Sequence, residues 1–504
     1  MLSRSAEWMW TSSSHQRLVL PSGHARTRNA AATIARRATP SASQLRRFPI
    51  PQSRRYSIPP CGSIGRSGSV AYGRVGSQAA IPRNRGDGEH MSKDTSAFQD
   101  FNLIDPAHYA AHGYPHPVWT RLRKDDPVHW YEPSEGPSFW AVTKAEDIIT
   151  VGKNPTHFLN GPRLVLDLSD GGDAGFPKTL IQMDPPKHTT YRKLASKRFT
   201  PGKLRALHQD IENIAKEIVD SLLEQGNEGE CDFVEKVSAP LPIAVIAWML
   251  GVPREDWKLL FDWTNRTIGA GDPDFATEGQ DPRETALGAM TELFGYFANL
   301  VAEKRKNPSD DLVTFFAQME ADGQPIPEVD VLTWCLIIVI AGNETTRNAT
   351  SGGMLAFIEH QAELRKLQQN PALMPHAVEE VVRWTSPIIH FCRTASEDVE
   401  LRGRKIKKGQ HLGLFYPSAN RDEDVFEDPF SFRVDRYPNR HLGYGVGEHF
   451  CLGAHVARLE LEFAYKYLLP RIEEIELAAP IARLHSSLVG GVKRLPIKYR
   501  LTSA

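Results

Sequence analysis

One short segment near the C-terminus constrains the fold more than any other part of the chain. Cys451 lies among glycines, with Gly445 and Gly447 before it and Gly453 after it, and a helical pattern begins at Ala454. A thiolate at a helix N-terminus is stabilised by backbone N–H groups and the helix dipole. Glycines also let the backbone pass close to a flat ligand. The segment is typical of a cysteine that binds a metal or cofactor, but a buried structural cysteine beside a glycine turn is an alternative.

The residues around Cys451 resemble the haem-ligand loop of the cytochromes P450. The matching features are the glycines, His449 two residues before the cysteine, and Ala457-Arg458 on the following helix. The resemblance implies that Cys451 is the thiolate ligand of the iron in haem b (iron protoporphyrin IX), a ligand that favours O–O bond cleavage. Tyr444 stands where the family usually has phenylalanine.

A second motif follows one of the longer apolar runs of the chain, residues 334–342. Glu344 and Thr345 come next after Asn343, and an acid there is costly to bury unless it has a partner or a function. The threonine can bond back to the carbonyl of Ala341, so an ordinary buried helix end also explains the pattern. By resemblance this is the family's oxygen-activation helix, in which Glu344 controls proton entry and Thr345 hydrogen-bonds the bound dioxygen.

His188 and Arg192 are four residues apart, so their side chains share one face of a predicted helix. Two donors on one face suit an anionic partner, and arginine suits carboxylate in particular, although a solvated helix surface shows the same spacing. The resemblance implies that both residues bind haem propionates together with Arg393 and His449.

Glu380 and Arg383 are three residues apart, a common surface pair that is also the Glu-x-x-Arg pair of the family. The resemblance adds Arg436 as a third member. It implies that the three residues form a structural lock for the haem-binding core and take no part in catalysis.

The first 90 residues differ in composition from the rest. They contain 14 arginines, no lysine and three acidic residues, whereas residues 91–504 carry an excess of twelve acidic residues. We predict that residues 1–90 are a disordered leader. It is either a spurious upstream extension before a true start at Met91 or an Arg-rich transit peptide with a processing site near Arg54-Arg55.

Helical periodicity dominates the remaining chain, with short strands between turn signals. The predicted elements include a helical stretch that begins at Asp184, as its N-cap, and extends to about 369, helices at 377–384 and 454–468, a strand at 139–142 and short strands in 390–440. The fold class is therefore mainly α. The resemblance, whose motifs appear in family order, implies one helix-rich cytochrome P450 domain with small β-sheets over residues 91–504.

The resemblance also implies the activity. The expected enzyme inserts one oxygen atom from O2 into a C–H bond of an apolar substrate, with electrons from a ferredoxin and an NAD(P)H-dependent ferredoxin reductase. Residues 262–265, 271–274, 341–349 and 418–423 resemble the actinobacterial hydroxylases that attack the terminal carbon of sterol side chains and methyl-branched lipids. A linalool-type terpene hydroxylase and a non-catalytic haem-thiolate protein are alternatives. The implied pocket segments are 160–180, 260–275, 340–341, 388–391 and 488–489.

Composition excludes several other classes. The net charge near zero does not favour a nucleic-acid partner, and the longest apolar run is far shorter than the ~18–20 residues that span a bilayer. We therefore predict no membrane anchor and a cytoplasmic location, or a mitochondrial one if the leader is a transit peptide. A basic cluster, made of Arg192, Lys193, Lys197 and Arg198, is a candidate docking surface for an acidic ferredoxin.

Overall fold

The computed structural model describes residues 101–168, 177–223, 226–268, 272–275, 280 and 282–502. The predicted leader lies outside the described residues, as do positions 169–176 and 269–271 of the expected pocket.

The described chain is mainly helical with several small sheets, which confirms the predicted fold class. Its α-helices are α1 (Pro106–His112), α2 (His116–Asp125), α3 (Ala145–Gly152), α4 (Lys187–Ser196), α5 (Pro201–Leu223), α6 (Pro240–Leu250), α7 (Trp257–Ile268), α8 (Pro282–Lys306), α9 (Leu312–Ala317), α10 (Glu328–Glu359), α11 (Gln361–Gln369), α12 (Met374–Thr385), α13 (Tyr416–Ala419) and α14 (Ala454–Leu468). Its strands are β1 (Val128–Tyr131), β2 (Phe139–Val142), β3 (Phe158–Leu159), β4 (Glu228–Asp232), β5 (Glu320–Ala321), β6 (Gln324–Pro325), β7 (His390–Ala395), β8 (Val399–Leu401), β9 (Arg404–Ile406), β10 (His411–Phe415), β11 (Ile472–Leu477), β12 (Ala482–Arg483), β13 (Val492–Arg494) and β14 (Pro496–Leu501).

The largest sheet has the strand order β1-β2-β10-β7-β3. Within it β2 and β10 are parallel, and the other pairs are antiparallel. A second sheet, β11-β14-β4, joins the C-terminal strands to β4 in the middle of the chain. The two-stranded sheets pair β12 with β13, β5 with β6 and β8 with β9.

The central element is α10, which packs against α6, α7, α8, α12 and α14. Its apolar side chains, Trp334 and Val339 in one half and Met354 and Phe357 in the other, are buried in two core clusters. Among the described residues, α10 is the one helix long and apolar enough to span a membrane by composition, but 56% of its most apolar window is buried in the fold. We therefore describe α10 as the core helix.

The cysteine segment is held beside this core helix by α14. Tyr465 on α14 donates a buried hydrogen bond of 3.0 Å to the backbone carbonyl of Thr350 on α10. Adding a Cβ to Gly353 would bring it within 2.1 Å of the same Tyr465 hydroxyl, so the close approach of the two helices depends on this glycine. The segment that leads into α14 is thereby positioned next to the middle of α10.

Some of the predicted helices and strands have the expected bounds and others do not. The strand at 139–142 and the helix at 454–468 have the predicted bounds, and helix 377–384 is longer, beginning at Met374. The prediction that Asp184 caps the next helix is wrong, because its carboxylate accepts hydrogen bonds from the backbone N–H groups of Asn160 and Gly161. The long helical stretch is interrupted by β4, which is paired with the distant β14.

Candidate active site

The loop before α14 has a fixed shape. Gly445 and Gly447 have φ angles of 70° and 76°, which other residues adopt only at a cost. A Cβ on Gly447 would lie 2.1 Å from the carbonyl oxygen of Gly152. The backbone N–H of Cys451 donates a hydrogen bond of 2.9 Å to the carbonyl of Tyr444, which closes the loop. The backbone geometry therefore favours glycine at positions 445 and 447, whereas Gly453, with a φ of −87° and open space around it, meets no such requirement.

Cys451 is half-buried, and burial raises the pKa of its thiol. A hydrogen bond with the backbone of Gly453 and the positive charges of Arg192 and Arg458 act in the opposite direction without cancelling the effect. The helix N-terminus thus does not by itself keep the sulfur deprotonated, contrary to the simplest expectation from the sequence. A bound metal ion would supply the missing stabilisation of the thiolate.

Two histidines meet beside this loop. His188 on α4 is buried, and its ring stacks on that of His449 with centroids 3.9 Å apart. Neither nitrogen of His188 nor Nε2 of His449 has a hydrogen-bond partner among the described residues. The nearest carboxylate oxygen, Oε2 of Glu448, lies 3.6 Å from Nδ1 of His188, which is too far for a hydrogen bond. Buried polar groups without partners are rare in native proteins, so the pair fits an additional ligand with acceptor oxygens.

Two arginines complete the set of predicted donors. Arg192 donates a hydrogen bond to the carbonyl of Phe450, next to the cysteine. Arg393 on β7 is buried, and its Nη1 donates to the carbonyl of Cys392 at 2.8 Å. Burial, together with the charges of His188, Arg393 and Arg192, lowers the pKa of His449 to about 2. This cationic environment beside the thiol suits the carboxylates of haem b.

One face of α10 opens near its middle. Ala341 is exposed and Thr345 is half-buried, whereas Asn343 and Glu344 are buried. The hydroxyl of Thr345 donates a hydrogen bond of 2.8 Å to the carbonyl of Ala341, one turn earlier, as the sequence predicted. An exposed alanine in the middle of a core helix indicates a space beside α10, which Ala341 and Thr345 border together with half-buried isoleucines such as Ile340.

Glu344 is buried and pairs with Arg347, a partner that the sequence analysis missed. Its Oε1 accepts a hydrogen bond of 2.9 Å from Nη1 of Arg347, and the same Nη1 donates to Oδ1 of Asn265 on α7 at 2.8 Å. The guanidinium also faces the ring of Phe275 at 5.6 Å. Burial raises the pKa of Glu344 while Arg347 opposes the shift. The spacing of three residues between the acid and the arginine was a readable signal for this pair.

The three residues predicted to form a lock lie in one buried cluster. Arg383 makes two hydrogen bonds of 2.7 Å to the Glu380 carboxylate, and Nε of Arg436 lies 3.1 Å from it. Arg383 also donates to the carbonyls of Asn420 and Ser431. The cluster therefore fastens α12 to the segment that precedes the cysteine loop.

A further ion pair near the loop was not visible in the sequence. Nη2 of Arg458 donates to Oε2 of Glu379 at 2.9 Å, and the guanidinium lies 4.3 Å from the centre of the Tyr444 ring. His441 contacts the same carboxylate at 3.0 Å. The partners are separated by up to 79 residues, so no local pattern joins them.

Comparisons with known proteins agree with this geometry. The family model described as Cytochrome P450 matches residues 280–474. The chain is 37% identical over 414 residues to a steroid C26-monooxygenase of Mycobacterium bovis, covering 79% of this chain and 92% of that protein. It is 35% identical to linalool 8-monooxygenase of Pseudomonas putida, covering 76% and 95%. The crystal structure of CYP108D1 from Novosphingobium aromaticivorans superposes with a TM-score of 0.72 at 35% identity, covering 81% and 98%.

Proposed function

The chain belongs to the cytochrome P450 family, and on that premise we propose that it hydroxylates the terminal carbon of a sterol side chain or a methyl-branched lipid. The enzyme is a haem b-dependent monooxygenase that acts with O2 on a hydrophobic substrate. The resemblance of residues 341–349 and 418–423 to sterol and branched-lipid hydroxylases supports the substrate class. A linalool-type terpenoid is the second candidate, favoured by the likeness to linalool 8-monooxygenase.

The observation that carries the proposed site is the stacked histidine pair beside Cys451, in which both nitrogens of His188 and Nε2 of His449 have no hydrogen-bond partner among the described residues. In this proposal Cys451 ligates the iron, and the propionates are held by four side chains, His188, Arg192, Arg393 and His449. When bound, haem supplies oxygen activation, in which two electrons and two protons accompany the transfer of one oxygen atom to the substrate. The protein supplies orientation, proton delivery and a dry pocket.

Proton delivery would use the polar turn of α10. Thr345 Oγ1 now donates to the Ala341 carbonyl at 2.8 Å, and rotation about χ1 would present the same hydroxyl to a ligand in the opened space. Glu344 can bring a proton to that hydroxyl only after its Oε1 leaves Arg347. Because Arg347 also has Asn265 as an acceptor, the arginine keeps one partner when the carboxylate moves away. The exchange therefore leaves the buried guanidinium with one side-chain hydrogen bond instead of none.

Electrons must enter from a redox partner, and we propose a ferredoxin served by an NAD(P)H-dependent reductase. The proposed docking face is the exposed side of α4 beside the cysteine loop, with Arg192, Lys193 and Lys197 as its cations. Arg198 from the predicted basic cluster contributes less, since it pairs with Asp310 at 2.5 Å. Reversing the charge of Lys193 and Lys197 should slow reduction and flatten its salt dependence.

We also propose a cytoplasmic location and a family domain that spans residues 91–504. The bacterial relatives support the location and lend no support to a mitochondrial alternative. N-terminal sequencing of the purified protein tests the domain boundary: a start near Met91 is expected, and a mature chain that retains residues from the leader would contradict it.

Substrate identity is tested by titrating the haem-loaded protein with cholesterol, a methyl-branched fatty alcohol and linalool. We expect a low-to-high-spin shift with the sterol or the branched lipid, followed by NADH-driven formation of the terminal alcohol with ferredoxin and reductase. Tighter binding of linalool, with its terminal alcohol as the product, would favour the terpenoid alternative. If none of the three compounds shifts the spin state and none is oxidised, the result would favour a non-catalytic haem protein.

A further inference from the structure

His390 on β7 is a buried histidine that the proposed chemistry does not use. Its side chain has no exposed surface, and its Nε2 accepts a hydrogen bond of 3.0 Å from the backbone N–H of Leu166. The backbone of Ser487 is the other polar neighbour of the ring. Burial lowers the pKa of His390 to about 4, so the ring is neutral at physiological pH. Since Nε2 is the acceptor, the proton of the neutral ring resides on Nδ1.

Two other segments cross β7 at this point. The backbone N–H of Cys392 donates to the carbonyl of Leu164 at 2.6 Å. On the C-terminal side, the N–H of Ile389 donates to the carbonyl of Leu488 at 2.8 Å, and Ile388 forms a bridge with Val489. Residues 164–166, 388–392 and 487–489 are therefore one hydrogen-bonded unit. Within this unit, the His390 side chain supplies the hydrogen bond that joins β7 to Leu166.

The same three segments overlap the pocket segments 160–180, 388–391 and 488–489 that the family resemblance implies. Leu164, Val165, Phe391 and Leu488 are half-buried apolar residues at this junction. Leu166, by contrast, has no exposed surface. The junction thus has a fixed interior, with apolar side chains left partly uncovered beside it. Any change in the spacing of the segments would move those side chains.

The histidine at position 390 supplies the acceptor that the buried N–H of Leu166 needs. The N–H of Leu166 is buried, and a buried donor without an acceptor costs about 1–3 kcal/mol. An apolar replacement at position 390 would leave that donor without its acceptor, and residues 164–166 would have to move towards water. We propose that His390 is a positioning residue that determines specificity, because it fixes the segment 164–166 against β7 and so sets the depth of the substrate pocket.

This inference rests on the proposed function, and it concerns where the substrate is held. His390→Phe keeps an aromatic ring but removes the acceptor, whereas His390→Gln restores an acceptor oxygen. His411→Phe is the matched control, since His411 lies in the same sheet on β10 and contacts Thr394 at 3.0 Å on the neighbouring strand. All three variants are made in the full chain loaded with haem, and cholesterol is the spectroscopic probe.

We expect His390→Phe to retain the thiolate-type absorbance of the reduced, carbon monoxide-treated protein. Its spin-shift dissociation constant for cholesterol should rise by about 10-fold, as the loss of one buried hydrogen bond implies. Oxidation should spread from the terminal carbon to neighbouring carbons. His390→Gln should return both readouts towards the wild type, and His411→Phe should leave them unchanged.

Three outcomes would overturn the inference. These are an unchanged dissociation constant and product ratio in His390→Phe, a His390→Gln variant as impaired as His390→Phe, or an equal effect of His411→Phe. Loss of the thiolate-type absorbance in the wild-type protein is a different result, because it contradicts the proposed function itself. Where His390→Phe fails to accumulate, the comparison of His390→Gln and His390→Leu carries the test through the same two readouts.

Discussion

The imidazole rings of His188 and His449 stack 3.9 Å apart beside Cys451, although they come from segments more than 250 residues apart. Neither nitrogen of His188 nor Nε2 of His449 has an acceptor among the described residues, and burial lowers the pKa of each ring. A buried and a half-buried imidazole whose nitrogens face no acceptor are the expected arrangement when a carboxylate of a bound group completes the site.

Substituting alanine at His449 should therefore weaken haem retention. Loss of one charge-assisted hydrogen bond costs about 1.5–3 kcal/mol, so haem should leave roughly 10- to 100-fold faster. The rate is measured by transfer of haem to apomyoglobin. His455→Ala is the control, since His455 is an exposed residue on α14. Equal rates in the two variants would contradict the assignment.

Thr345 should affect coupling more than binding. In Thr345→Val the carbonyl of Ala341 loses its partner and the hydroxyl is gone, so proton delivery should fail. We expect NADH consumption to continue while most of the oxygen is released as hydrogen peroxide. Thr350→Val removes the same kind of bond, 2.8 Å to the carbonyl of Thr346, one turn and a half further along α10. Product yield per NADH should fall in the first variant and stay near the wild-type value in the second.

The contact between Asn265 and Arg347 should control how readily Glu344 is released. In Asn265→Ala the guanidinium keeps only the carboxylate as its side-chain partner, which should hold Glu344 more tightly. We expect slower product formation and a larger solvent isotope effect. Thr264→Val is the matched control: it breaks the bond of 2.8 Å to Asn343 between the same two helices without touching Arg347. If both variants show the same isotope effect, the effect comes from the general contact between α7 and α10. That result would contradict a specific role for the hydrogen bond between Arg347 and Asn265.

Glu460 makes folding stability depend on pH. Burial raises its pKa from 4.5 to about 8. Above pH 4.5 the unfolded chain loses this proton and the folded chain keeps it, so the free energy of unfolding decreases with pH by about 1.4 kcal/mol per unit up to about pH 8. Glu460→Gln removes this slope. Its stability in urea relative to the wild type should rise steadily from pH 5 to 8, and a difference that stays flat over this range would contradict the prediction.

Features set by neighbouring residues were predictable from the sequence. The final helix has the bounds expected from its apolar period and the glycine before it, and Thr345 makes the i−4 bond expected of a threonine beside small residues. The pair of Glu344 and Arg347 was equally readable, as an acid and a base three residues apart.

Features that join distant segments were predictable only where the family resemblance supplied the partners, as for Arg436 with Glu380 and for His188 with His449. The strand β4 forms by pairing with β14, and in isolation its residues, with exposed Glu228 and Glu230, carry no strong strand pattern. His390 acquires its acceptor role only through Leu166, 224 residues away. Such partners depend on tertiary packing, which a local pattern does not contain.

The central claim is that the sulfur of Cys451 binds the iron of haem b. Its most direct test is the absorbance of the reduced protein under carbon monoxide, measured for the wild type, Cys451→Ala and, as the control, Cys231→Ala on β4. The account predicts the long-wavelength Soret band that is diagnostic of thiolate coordination in the wild type and in Cys231→Ala, and its loss in Cys451→Ala. A wild-type protein without that band, or a Cys451→Ala variant that keeps it, would contradict the account.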